Sequence, residues 1–133
     1  MQLTSTIVAT VGFLLPWLSA ADLVPGTYYK CEGLPNLSNV GVIDVTESEI
    51  FFYFEALPCY GANAALYGPY SYEVFFGSLV ATQFPTGDII FSRASLGGLT
   101  SNSLTSIAVD SQGRLMMRHL KKHPGSIQFY CRR

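Results

Sequence analysis

Six of the eight Lys and Arg residues fall after Asp110: Arg114, Arg118, Lys121, Lys122, Arg132 and Arg133, accompanied by His119 and His123. All nine carboxylates lie between Asp22 and Asp110. A formal net charge of −1 therefore hides an acidic body and a basic end. Unopposed cations attract phosphates through their field alone, in a salt-dependent way. On this pattern Arg118, His119, Lys121 and Lys122 are the candidate RNA- or phosphate-binding residues. The same stretch also fits a solvated strand pair with a ragged basic tail. The three cysteines, Cys31, Cys59 and Cys131, show no Cys-x-x-Cys spacing, and the histidines are distant in sequence from Cys31 and Cys59. No metal centre and no cofactor are expected from such a set.

A chain of 133 residues that is 49% hydrophobic and only 13% charged is neither a disordered tail nor a solvated coiled coil. Its length allows one domain. Ile7 to Leu18 is an apolar run interrupted only by Thr10, Gly12 and Pro16, too short to span a bilayer and followed by Ser19, Ala20 and Ala21. This reads as a secretory signal peptide over 1–20, with residues 21–133 as the mature domain, although no Lys or Arg precedes Lys30. No other stretch is a membrane span, and the expectation is a secreted monomer. Secretion favours a disulfide, and three pairings are open. Joining Cys31 to Cys131 closes nearly the whole mature chain, worth about 4–5 kcal/mol in the chain-entropy model, and is the favoured pairing. Cys59 is then a free, buried thiol. Asn36-Leu37-Ser38 is a glycosylation sequon.

Thr27 to Cys31 follows Pro25-Gly26 and reads as a strand, as does Val40 to Val45. Thr46-Glu47-Ser48-Glu49 fits a capping box, with Ile50, Phe51, Phe54 and Leu57 on one helical face, so a helix ending at Pro58 is expected. Strands are expected at Tyr70–Phe76, Leu79–Phe84 and Asp88–Ser92, then a mobile Gly/Ser loop over Ser95–Ser103. Leu104–Asp110 and Arg114–Leu120 form a hairpin around Ser111-Gln112-Gly113, and Ser126–Cys131 is the last strand. The sum is an α+β domain with one helix packed on a mainly antiparallel sheet of about five strands. On its strand His119 shares a face with Leu115 and Met117, which makes it either a half-buried sheet histidine or a phosphate contact.

Tyr29-Lys30-Cys31 soon after a leader, with Phe129-Tyr130-Cys131 at the end, resembles the ribonuclease-like secreted effectors of powdery mildew fungi. Their fold is similar to that of the small fungal guanyl-specific ribonucleases. Gln83-Phe84-Pro85, Gly87-Asp88-Ile89-Ile90, Leu96-Gly97-Gly98, Ile107-Ala108-Val109-Asp110 and Gly113-Arg114-Leu115 follow in that family's order.

The resemblance implies a chemistry and its loss. Such ribonucleases use a carboxylate as base, a histidine as acid and an arginine on the phosphoryl charge. Gln83 stands where the carboxylate belongs, Ser106 where the arginine belongs, and Tyr67-Gly68-Pro69-Tyr70 replaces a Tyr-Pro-His turn. An amide cannot take a proton at neutral pH, so only His119 remains. The resemblance thus implies a pseudo-ribonuclease rather than an enzyme, translocated into the host cytoplasm. There it binds a host plant protein or RNA and is open to detection by plant immune receptors. The alternative is an active secreted ribonuclease with a rearranged acid/base pair, Glu73 or Asp88 standing in as base. Tyr67, Tyr70 and Tyr72 either stack bases or pack the core.

Overall fold

The computed structural model describes residues 23–32 and 37–133. The leader expected over 1–20 and the sequon residue Asn36 lie outside the described residues. Eight strands run in sequence order around a closed antiparallel barrel. They are β1 (Gly26–Glu32), β2 (Val40–Val45), β3 (Glu49–Phe54), β4 (Ala65–Phe75), β5 (Leu79–Thr82), β6 (Ser106–Val109), β7 (Leu115–Met117) and β8 (Gln128–Arg132). β8 closes onto β1 through the pairs Cys131↔Tyr29 and Tyr130↔Lys30, so no strand edge is left free. Two short helices, α1 (Ile90–Leu96) and α2 (Ser101–Thr105), interrupt the path between β5 and β6.

The expected α+β sheet of about five strands, and with it the ribonuclease-like fold, is therefore corrected to a mainly β barrel. The decisive segment is Thr46–Phe54. Thr46 Oγ1 does accept the backbone N–H groups of Ser48 and Glu49, at 3.4 and 3.0 Å, but Thr46 N also donates to Glu49 O at 2.9 Å. The hydroxyl thus closes the β2–β3 turn rather than starting a helix. Beyond it, Ile50, Phe52 and Phe54 are buried while Phe51 is half-buried and Tyr53 exposed, the period-two pattern of a strand.

The same alternation fills the lumen. Tyr28, Ile43, Phe52, Phe54, Val80, Ile107, Leu115, Met117 and Tyr130 are all buried and belong to one core. Eight strands enclose a space that side chains of this size can fill. Tyr70, Phe84 and Phe91 carry the core outward to α1, with ring centroids 4.6 Å apart for Tyr70–Phe84 and 5.0 Å for Phe84–Phe91. Tyr67-Gly68-Pro69-Tyr70 is no turn but a stretch inside β4, opposite a register shift between Ile50 and Phe52. Asp88–Ser92 is not a strand: Asp88 Oδ1 accepts from Ile90 N at 2.9 Å where the chain enters α1. The expected mobile loop holds most of α1's end and α2, whose start is a capping box between Thr100 and Ser103.

Up-and-down order sorts the connections. Leu37–Asn39 before β2 and the β3–β4, β5–β6 and β7–β8 segments gather at one mouth of the barrel, and the short β2–β3, β4–β5 and β6–β7 turns lie at the other. The longer connections are thereby brought to one end.

Candidate anion-binding clefts at one barrel mouth

The β7–β8 connection crosses this mouth and is tied to the helical segment. Leu99 bridges Leu120, and Lys121 N donates to Gly98 O at 2.8 Å. Between these ties His119 has φ 63°, a left-handed conformation that costs an L-residue about 1–2 kcal/mol. Its carbonyl accepts from Ser103 Oγ at 3.0 Å and Thr100 Oγ1 at 3.2 Å. The hydroxyls that cap α2 thus also hold His119 in its strained turn. The expectation of a sheet histidine is corrected: β7 ends at Met117, and His119 is exposed in the connection.

A cleft of about 570 Å³ opens there, lined by Arg118, His119 and Lys121 together with Thr100, Asn102, Ser126 and the apolar Leu120, Pro124 and Ile127. Three of the four predicted phosphate contacts meet in it. The fourth, Lys122, turns with His123 into a neighbouring cleft of about 280 Å³, walled by Leu37–Asn39, by Glu55, Leu57 and Tyr60, and by Leu96–Gly98 at the end of α1.

The charges are sorted in space as well as in sequence. Lys30 pairs with Glu55 at 2.8 Å, and Arg114 binds Asp110 at 2.6 Å and Glu32. Arg133 lies over the Tyr29 ring, 4.4 Å from its centroid. Arg118, Lys121 and Lys122 have no carboxylate partner among the described residues, and Lys121 Nζ reaches only Ser95 Oγ at 3.0 Å. No carboxylate lines the larger cleft.

The residues implied by the ribonuclease resemblance are not assembled around His119. Gln83 is exposed just past β5, its Nε2 3.4 Å from Glu73 Oε2. Ser106 opens β6 opposite Ala81, which itself pairs with Glu73 on β4, so all three belong to the barrel wall. Asp88 accepts the Tyr70 hydroxyl at 2.9 Å; burial and this carboxylate push the Tyr70 phenol above its ordinary range. Tyr70 is buried and Tyr67 and Tyr72 pack against the core, so the stacking role falls away for them. Cys31 and Cys131 are bonded, with Cα atoms 5.6 Å apart, whereas Cys59 is exposed, not buried. Among the described residues no group of three His, Cys, Asp or Glu side chains is placed to hold a metal ion. Nor is any helix among them long and apolar enough to cross a membrane.

Sequence reasoning missed Asn39, Tyr60, Thr100 and Ser103. The last two carry a readable signal, a Thr-x-x-Ser spacing just after Gly97-Gly98-Leu99; Asn39 and Tyr60 carry none, because only the barrel's connectivity brings them to this mouth. No protein-family model, curated protein or solved structure matches this chain.

Proposed function

We propose that this protein is a secreted, non-catalytic binding module whose larger cleft takes single-stranded RNA. One observation carries the reading: Lys30, Arg93, Arg114 and Arg133 are tied to carboxylates or rings and Arg132 stands apart by the β6–β7 turn, while Arg118, Lys121 and Lys122 converge without a carboxylate partner around one mouth. Such a track binds a phosphate backbone, and the apolar Leu120 and Ile127 beside it suit the faces of nucleosides. With no carboxylate in the lining, His119 has no second acid or base of that kind to share the proton transfers of transesterification, which supports binding over cleavage.

Support for export is the apolar leader-like run and the Cys31–Cys131 bridge. A role as an effector inside host plant cells, exposed there to immune receptors, rests on the sequence resemblance alone. The test is a titration of the oxidised protein with single-stranded RNA. Binding that weakens with salt and falls in Arg118→Gln, without cleavage, supports the reading. Failure of the wild-type protein to bind RNA would overturn it and direct the search to host proteins. Cleavage abolished by His119→Ala would restore the enzyme reading.

A further inference from the structure

The smaller cleft contains a second, differently built feature. Asn39 is only 8% exposed and neither atom of its amide has a hydrogen-bond partner among the described residues. Arg93 is 6% exposed, and its Nη1 is likewise unpartnered. The two meet the same backbone unit: Glu55 N donates to Asn39 O at 2.8 Å, and Arg93 Nη2 donates to Glu55 O. Arg93 has no carboxylate partner among the described residues; it touches carbonyls and the Phe54 ring, 5.3 Å from the centroid. A buried guanidinium without an anion and a buried amide with idle donors, both held to the Glu55 backbone, are a costly arrangement for folding alone.

We infer that this cleft is a site for a compact oxyanion of the phosphate-monoester type. Lys122 and His123 stand in its lining, and its one carboxylate, Glu55, is already neutralised by Lys30 at 2.8 Å. Asn39 supplies a neutral donor at the floor, and Arg93, behind Glu55, adds positive potential in a poorly solvated place where it is little screened. About 280 Å³ admits a small group rather than a drug-sized ligand. Asn39 Oδ1 lies where a Cβ on Gly97 would be 2.0 Å away, so a side chain at position 97 would fill the space beside the amide. This site goes beyond the RNA reading and does not require it, since a free phosphomonoester and the phosphorylated end of a strand carry the same group.

The experiment titrates inorganic phosphate into the oxidised protein at constant ionic strength, with chloride as the balancing ion, and follows the thermal midpoint and backbone amide NMR. A saturable rise in the midpoint is expected, with shifts centred on Asn39, Gly97 and Lys122. Lys122→Gln, an exposed change, weakens the apparent affinity about five- to tenfold. Asn39→Asp, which places a carboxylate in the cleft, abolishes the response. Matched RNAs with a 5′-phosphate or a 5′-hydroxyl separate the sources. Preference for the phosphate points to a strand end; no preference, with the phosphate response intact, points to a free monoester. No saturable response, or one lost in Arg118→Gln and kept in Lys122→Gln, overturns the site, whatever becomes of RNA binding in the larger cleft.

Discussion

Replacing Cys31 and Cys131 together by Ala removes the one covalent tie across the seam where the barrel closes. The bridge joins positions 100 residues apart, on strands already paired through Cys131↔Tyr29. In the chain-entropy model a loop of that length lowers the free energy of folding by about 4.7 kcal/mol, almost all through the unfolded chain. Domains of this size are stable by about 5–15 kcal/mol, so the double variant loses a third of its stability or more. Its thermal midpoint falls by roughly 15–30 °C. The comparison uses urea unfolding followed by circular dichroism, with Cys59→Ser in both proteins so that the exposed thiol cannot exchange. A larger denaturant slope in the double variant is expected too, because its unfolded chain exposes more surface. A stability loss under about 1 kcal/mol would refute the reasoning, because it would mean that the bridge scarcely restricts the unfolded chain.

Three further outcomes follow from the core, the β6–β7 turn and the glycine turn. Tyr130 is fully buried, donates to Val40 O at 2.7 Å and lies 2.9 Å from Ser38 Oγ; Tyr130→Phe strands that carbonyl and should cost about 1–3 kcal/mol by chemical denaturation. Burial raises the Asp110 pKa, but hydrogen bonds from Arg114 and Gln112 outweigh it and hold the carboxyl below its ordinary value of 3.8. That stability is present above the unfolded-state pKa and is lost as pH falls through the folded one, so Asp110→Asn should flatten the acid limb of a stability–pH curve below about pH 4. Gly97→Ala drives a methyl into Asn39 and should destabilise by about 1–3 kcal/mol, measured the same way.

Much of the barrel was written locally and one strand was disguised. β2 was legible at its observed bounds, and β1, β5 and β8 within a few residues, because β-branched and aromatic residues there are bounded by Gly, Pro or Asn; β7 was legible through the Ser111-Gln112-Gly113 turn before it. β3 was not, since Ile50 to Phe54 is apolar at every position and satisfies both periods, while Thr46 offers a hydroxyl that a helix start and a hairpin turn use alike. α2 was missed for the opposite reason: Ser101-Asn102-Ser103 reads as loop, yet Thr100 and Ser103 cap each other. Closure was hinted at by the cysteines, because a bridge between the two ends also brings first and last strands side by side.

The site was half legible. Absence of acids after Asp110 marked Arg118, His119 and Lys121 before any fold was known, and the β7–β8 connection does gather them. What charge counting could not show is that Lys122 faces the other way, into a cleft with Asn39 and Tyr60 from distant connections. That division is a product of barrel topology, not of sequence proximity.

The most direct test of the central claim is the slope of log binding constant against log salt for a single-stranded RNA. Three unpaired cations, Arg118, Lys121 and Lys122, predict a slope of about −2. Changing all three to Gln should bring it close to zero while the circular dichroism spectrum stays that of the barrel. Absence of binding, or a slope that the triple variant leaves unchanged, would contradict the account.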